Sequence, residues 1–431
     1  MKKHTYIESE ALLERALKVI PLGTQTFSKS FEQFPRHYSP LFIKKGKGCK
    51  VWDQDDNEYI DLISGLLPVI LGYCDPDVNN AIKQQLELGI SFSLASELEV
   101  IVAEKLVKNI PCAESVRFGK NGSDATSACI RLARAITGKD HVICCGYHGW
   151  HDWYIGSTVR NKGVPTSINE LTHKVPYNDI ESIFQLFKKY PDNIAAVILE
   201  PANSIPPKEG FLHNLKDFVK SKNALFIFDE VITGFRFSKG GAQEYFDVTP
   251  DLSAFGKAMG NGMPISAVVG KEEYMEEMEE VFFSATFGGE TLSLAAANAV
   301  IDKIEKEPVI EKIWERGGAL KTGVKKLLAS NQLEEIIEIN GYEPWTMLMF
   351  KDHSNGTLKE AIKTFFMKHM INNGVLIAAS HNLNYAHNDE DINNILNVYE
   401  KVLSNMAVAL DDNTLVKNLD CPLIQPVFSV R

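Results

Sequence analysis

The sequence contains no Cys-x-x-Cys pair, no excess of positive charge and no uninterrupted apolar stretch approaching about 18 residues. Each absence removes a class of function. The seven cysteines (Cys49, Cys74, Cys112, Cys129, Cys144, Cys145 and Cys421) are odd in number and scattered, so a disulfide framework or a zinc ribbon is not expected. They read as reduced, buried thiols of a cytoplasmic protein. His148 and His151 resemble half of a metal site, but no Cys, Asp or Glu set completes it, and no metal is expected. The formal net charge of -11 argues against nucleic acid or an anionic membrane surface as partner. No membrane span is expected, and Met1-Lys2-Lys3 turns acidic at Glu8 and Glu10 before any apolar run forms, unlike a signal peptide. Internal repeats and low-complexity tracts are also missing.

What is there is a chain of 431 residues with ordinary globular composition, 45% hydrophobic and 23% charged, which is too long for one small core. Short apolar runs at Val142–Cys145, Ala195–Leu199, Ala224–Phe228 and Ile265–Val269 predict buried strands. Between them, Ile180, Ile183, Phe184 and Phe187, then Leu215, Phe218 and Val219, recur at helical spacing. That alternation predicts an α/β fold with a mostly parallel sheet covered by helices on both faces. A long helical region follows from Leu294 to about Leu328, broken near Glu307-Pro308. Strands are expected at Cys49–Trp52, Trp345–Phe350 and Val375–Ala378, and a last helix from about Glu390 to Leu410. The expected organisation is an N-terminal segment 1–60 packing with a small α+β domain 311–431, and a large domain 61–310. The acidic run Glu272–Glu280 reads as a solvated helix face, and the tail from Asp412, with Pro422, Pro426 and Val427-Phe428, as a strap over the small domain.

Parallel sheets bind ligands beyond the carboxyl ends of their strands, which directs attention to the residues just after each run. Lys257 lies in Phe255-Gly256-Lys257-Ala258-Met259-Gly260-Asn261-Gly262-Met263-Pro264, an apolar, glycine-rich setting that would desolvate its ammonium and favour a nucleophilic amine. Taken alone, it reads better as a surface lysine on a flexible loop; the residues that accompany it reverse that reading. Asp229 ends the run Ala224–Phe228, where it is either a carboxylate aimed into the ligand crevice or the cap of a following helix. Lys257 follows it by 28 residues, room for a helix and the next connection. Phe118-Gly119-Lys120-Asn121-Gly122-Ser123-Asp124 opens a helix striped by Ala125, Cys129, Leu132 and Ala133. Gly122 and Ser123 there suit an anion, although Ser123 alone also suits an ordinary helix cap. Tyr147, after the strand ending at Cys145, places a ring where it can stack on a flat ligand, whereas Trp150 and Trp153 are expected in the core.

Together these runs resemble the class III aminotransferases of the fold-type I pyridoxal-phosphate superfamily, with particular likeness to the glutamate-1-semialdehyde 2,1-aminomutases, over roughly residues 20 to 405. The matching segments are Gly122-Ser123-Asp124-Ala125, Tyr147-His148-Gly149, Glu200-Pro201, Asp229 to Arg236, Thr249-Pro250-Asp251, Gly256-Lys257, Gly260 to Pro264 and Thr286-Phe287-Gly288-Gly289. The resemblance implies a Schiff base between Lys257 and pyridoxal 5'-phosphate, with the same amine shuttling a proton. It pairs Asp229 with the pyridine nitrogen, flanks the ring with Tyr147 and Val231, and gives the phosphate to Gly122 and Ser123. It sets Glu200 behind Asp229, and sends Thr286 to the phosphate of a neighbouring subunit, hence a homodimer.

Where this chain departs from the family, the departures concern substrate. Glu290-Thr291 replaces the usual Asn-Pro, Ile205 stands where members using 2-oxoglutarate carry glutamate, and Lys29 stands where the aminomutases carry arginine. Lys29, His148, His381 and Asn382 are the candidate substrate contacts, a set suited to a phosphorylated or hydroxyl-rich compound such as a sugar or surface-polysaccharide precursor. The expected activity is amino-group transfer from a small amine or amino acid to an aldehyde or keto acceptor. An intramolecular aminomutase, a racemase or decarboxylase on the same scaffold, and a catalytically silent relative with a regulatory role are the alternatives.

Overall fold

The structure is a computed structural model that describes residues 4–424. The chain divides into two compact units, one of Pro76–Ile310 and one of the described residues up to Asp75 and from Glu311 onward.

The Pro76–Ile310 unit is built on seven strands: β1 (Ser115–Gly119), β2 (His141–Cys145), β3 (Thr172–Lys174), β4 (Ile194–Leu199), β5 (Leu225–Asp229), β6 (Leu252–Phe255) and β7 (Ser266–Gly270). Their order in the sheet is β1-β7-β6-β5-β4-β2-β3. The β6-β5-β4-β2-β3 pairings are parallel, and β7 runs antiparallel to both of its neighbours. Successive side chains on a strand point to opposite faces, and both faces are apolar here. Val142, Cys144, Ile198 and Ile227 meet the helix Gly122–Thr137 through Ala125, Cys129 and Leu132. Ile143, Val197, Leu199, Phe226 and Phe228 cluster instead with Ile183, Phe187, Leu215 and Val219, from the helices Ile180–Lys189 and Phe211–Ser221. The continuous apolar runs in the sequence are the direct consequence of this double coverage. The helical region after the sheet is two helices, Thr291–Lys306 and Val309–Ser330, interrupted at Pro308. The run Glu272–Glu280 is a helical turn and a 3-10 turn with mostly exposed glutamates.

The other unit carries a four-stranded sheet of Ile43–Lys47, Lys50–Asp53, Glu58–Asp61 and Val375–Leu376, and a three-stranded one of Ile337–Tyr342, Trp345–Phe350 and Ser380–Asn382. The stretch 61–75, expected in the large domain, belongs here because its backbone is committed here. Leu62 N–H donates to Leu376 O (2.9 Å), Asn382 N–H to Leu62 O (2.9 Å), Tyr385 N–H to Ile70 O (2.7 Å) and Tyr73 N–H to Gly48 O (2.7 Å). The described part of the tail lies on the helix Lys359–Asn372: the buried Lys368 ammonium donates to Asn418 O (3.0 Å), and Ile424 N–H to Thr364 Oγ1 (2.9 Å). Pro426 and Val427-Phe428, also assigned to the strap, lie outside the described residues. All seven cysteines are free, and Cys74 is exposed rather than buried. No described helix is long and apolar enough to cross a membrane.

Candidate functional site

The carboxyl ends of β2, β4, β5 and β6 are neighbours, and the segments that leave them carry the chemistry-bearing residues. Asp229, the last residue of β5, is in register with Ala254 of β6, and Glu230 N–H donates to Ala254 O (2.8 Å). Two residues beyond the end of β6 comes Lys257, half-buried, at a positive φ of 38° that only local constraint imposes on a side chain of this size. Thus the amine and the carboxylate leave adjacent parallel strands. Asp229 does not cap a helix, since a chain of turns occupies 231–240; its Oδ1 accepts the Val231 N–H (3.1 Å).

Val231 links this corner to the loop before the helix Gly122–Thr137. A Cβ at Gly122 would lie 2.8 Å from Val231 Cγ1, and one at Gly256 would lie 3.6 Å from the same atom. Any larger residue at 122 would displace Val231 from its place beside the lysine turn. Ser123 is not the helix cap. Asp124 Oδ2 accepts the Asn121 N–H (2.8 Å) and the Lys120 N–H (3.1 Å), while Ser123 Oγ accepts the Trp150 N–H (3.3 Å). Gly149, at φ 103°, lets that segment approach, because a Cβ there would sit 2.3 Å from Ser123 Oγ. Tyr147 is held by its peptide, whose N–H donates to Glu200 Oε2 (3.1 Å), and by an edge-on contact with Tyr154 (5.6 Å). Gly122, Ser123, Tyr147, Glu200, Asp229, Val231 and Lys257 therefore belong to one continuous set of contacts and register neighbours. Thr286 stands apart, exposed on the loop before Glu290.

The four expected substrate contacts fare differently. His148 is buried, with Nδ1 2.8 Å from Asp229 Oδ2 and Nε2 3.1 Å from Cys145 O, so both ring nitrogens are engaged beneath the carboxylate rather than offered to a substrate. His381 and Asn382 are interior residues of the other unit. His381 bonds Thr346 Oγ1 (2.7 Å) and Tyr399 Oη (2.6 Å), and burial pushes its imidazole down to about 3. Asn382 donates from Nδ2 to Ile63 O (2.9 Å). Both residues of the strand Ser380–Asn382 are buried, and of the expected polar patch Lys29 is exposed, on a 3-10 turn. Trp150 reverses its expectation as well: it is 66% exposed, whereas Trp153 is buried and donates from Nε1 to Ser127 Oγ (2.9 Å).

Two features escape the sequence reading. Lys120 Nζ pairs with Glu290 Oε2 (3.0 Å), and the same carboxylate caps the helix Thr291–Lys306 through Leu292 N–H (2.6 Å). The unusual Glu290 thereby ties the threonine loop to the loop before Gly122. The second is Glu230, wholly buried, which accepts hydrogen bonds from the Thr233 hydroxyl, the Ala242 N–H (2.7 Å) and the Gln243 N–H (2.8 Å), and so closes the loop that follows Asp229. A second acid directly after a strand-end Asp is the visible signal; the donors it satisfies are distant in sequence.

Burial pushes the Glu230 carboxyl up to about 7 from an ordinary 4.5, against the pull of its hydrogen-bond donors. Between those values the folded chain holds a proton that the unfolded chain has lost. The associated stability is present in full below about pH 4.5 and fades as pH rises toward about 7, a change of about 3 kcal/mol. Glu230→Gln is expected to remove this slope. Thermal melts across that window check it, and parallel profiles for parent and variant would refute it.

The family described as Aminotransferase class-III matches residues 33–403. A glutamate-1-semialdehyde 2,1-aminomutase of Natranaerobius thermophilus is 34% identical, covering 93% of this chain and 99% of its own. A 3-aminobutyryl-CoA aminotransferase of Cloacimonas acidaminovorans is 35% identical, covering 89% of this chain and 94% of its own. Among solved structures, the FumI protein of Sphingopyxis sp. MTA144, in its PLP internal aldimine form, matches with a TM-score of 0.87 at 28% identity, covering 94% of this chain and 98% of that one. An omega-transaminase from Sphaerobacter thermophilus matches with a TM-score of 0.85 at 25% identity, covering 93% and 99%.

Proposed function

The chain belongs to the class III aminotransferases, enzymes of fold type I that work with pyridoxal phosphate, and from that premise we propose that it moves an amino group from a small amine or amino acid donor to an aldehyde or keto acceptor. The observation that carries the reading is the exit of Lys257 and Asp229 from adjacent parallel strands, with Gly122, Ser123 and Val231 packed beside them. The residues present suit the cofactor: an amine, a carboxylate and the N–H groups at the start of a 16-residue helix. Pyridoxal phosphate, when bound, supplies a carbonyl carbon that captures amines and a ring that takes up an electron pair.

The chain's own residues then divide the labour. Lys257 would anchor the cofactor covalently and carry a proton to and from the substrate carbon. Asp229 would face the ring nitrogen and favour its protonated form. Gly122 and Ser123 would hold the phosphate, with the helix N-terminus adding positive potential. Val231 and Tyr147 would flank the ring, Glu200 fixing Tyr147 through its peptide. Lys29 would be a point charge for an anionic substrate group, without the two-pronged grip of an arginine.

The likeness to an aminomutase at 34% identity across 93% of the chain favours a second reading, intramolecular transfer within one amino aldehyde. Incubating the purified enzyme with an amino substrate, with and without an oxo acid or aldehyde, separates the two. Transfer is expected only when the acceptor is present. Net turnover of one amino aldehyde alone would replace the first reading with the second.

A homodimer is part of the proposal. Leu88, Phe92, Leu94, Val100, Phe282 and Phe287 are all more than half exposed, apolar side chains that a neighbouring subunit would cover. Thr286 sits among them in sequence and would act on the neighbouring subunit's phosphate. The double substitution Leu94→Glu, Phe282→Glu is expected to convert dimers to monomers in sedimentation velocity and to lower turnover with them, since each lost anchor contact of about 1.4 kcal/mol or more weakens association at least about tenfold. A parent protein sedimenting as a monomer would remove this part.

A further inference from the structure

We infer that Lys120 and Glu290 form a brace that presents Thr286 to the neighbouring subunit, so that Lys120 is a positioning residue for the cofactor phosphate of that subunit. The inference rests on the proposed homodimer. It starts from a loop that has little of its own to fix it. Phe282, Ser284, Ala285, Thr286 and Phe287 are all exposed. Gly288 N–H to Ala285 O (2.9 Å) and Glu290 N–H to Phe287 O (3.2 Å) bend the chain back, but they anchor it to nothing outside itself. Its two ends are held by cations. At the start, Arg131 donates to Phe282 O (2.7 Å) and Arg117 to Phe283 O (3.3 Å). At the end, Lys120 Nζ meets Glu290 Oε2 (3.0 Å). Thr286 lies midway between Phe282 and Glu290.

The two arginine contacts are solvent-exposed, whereas the Lys120 and Glu290 side chains are 15% and 12% exposed, so their attraction is little screened. Burial by itself would raise the Glu290 carboxyl, but the Ser293 hydroxyl, the Lys120 ammonium and the Leu292 N–H outweigh it and hold it below the usual carboxylate range. The carboxylate is fixed on its other side too. Oε1 accepts the Leu292 N–H (2.6 Å) and Oε2 the Ser293 hydroxyl (2.6 Å), in the first turn of the helix Thr291–Lys306. That turn is seated by Thr291 N–H on Ile90 O (2.9 Å). The Lys120 peptide is in turn tied to Asp124 Oδ2 (3.1 Å). Close packing accompanies the pair, since a Cβ at Gly119 would lie 3.2 Å from Phe283 Cζ.

A neutral asparagine, the usual residue at position 290, could not form this ion pair, so the brace goes with the departure of this chain from the family pattern. Lys120 would thus serve the phosphate across the interface, while Gly122 and Ser123 serve the one in their own subunit.

The test is cofactor affinity in hybrid dimers that keep one Lys257, read from the near-visible band of the cofactor bound there. One chain carries Lys257→Ala with Lys120→Met and the other is the parent. The surviving site then has its own residues intact and borrows Thr286 from the altered chain. Its affinity for pyridoxal 5'-phosphate is expected to fall at least about tenfold, the scale of one hydrogen bond to a charged group. Its affinity for pyridoxal, which lacks the phosphate, should not change. Lys120→Arg in place of Lys120→Met should restore the parent value. With Lys120→Met moved to the chain that keeps Lys257, affinity should stay near the parent's. Glu290→Gln replaces Lys120→Met if that chain does not fold, with the same results expected. Weakening only in the hybrid with Lys120→Met beside Lys257, equal loss for both forms of the cofactor, or no loss at all overturns the inference and leaves the proposed transfer activity standing. A parent that sediments as a monomer removes the homodimer and this inference with it, whereas a parent that never takes up cofactor sinks the function.

Discussion

Lys257→Ala is expected to abolish covalent retention of pyridoxal phosphate and to lower turnover by at least about 10⁴-fold, the upper range for losing a positioned proton carrier, with the anchoring bond lost in addition. The turn that presents the amine is built by other residues. Gly256 leaves room beside Val231, and Ala258 and Met259 are buried behind the lysine. Truncating a half-buried side chain at the rim of this turn therefore costs little stability, and the variant should melt within a few degrees of the parent. Three measurements settle it: the near-visible absorption band, cofactor retained after gel filtration, and the melting temperature. A variant that keeps colour and turnover would end the assignment of Lys257; one that fails to fold would be replaced by Lys257→Arg, which keeps length and charge but cannot form the bond.

The frame of the large unit was readable because both faces of its sheet are buried. Strands such as Ile194–Leu199 and Leu225–Asp229 become unbroken apolar runs, and their ends are marked by the first polar residue. The reversal of β7 left no trace, because an apolar strand reads the same in either direction. Nor did the allegiance of 61–75, which is decided by backbone hydrogen bonds to Leu376, Asn382 and Tyr385, more than 300 residues away. The site shows the same division. Asp229 and Lys257 were legible because position at a strand end is a local property. What surrounds them was not: His148 reaches Asp229 across 81 residues and Lys120 reaches Glu290 across 170. Histidine, asparagine and tryptophan were the least predictable. They are at home both in a satisfied interior and at a wet surface, and His381, Asn382 and Trp150 each took the opposite option to the one expected.

Asp229→Asn tests the other half of the site and should separate binding from chemistry. The amide keeps the shape of the carboxylate, and its oxygen can still accept the Val231 N–H. The fold and the bond through Lys257 should therefore persist, and the protein should stay coloured. What is lost is the negative charge that favours a protonated ring nitrogen where electrons accumulate. Preorganised electrostatic groups of this kind are worth about 10²–10³ in rate when removed, so turnover is expected to fall by that factor while cofactor remains bound. The contrast with Lys257→Ala is the informative part: one variant loses colour and turnover together, the other turnover alone. Asp229→Asn retaining turnover within a few-fold of the parent would show that the strand-end carboxylate shapes this corner without driving the reaction.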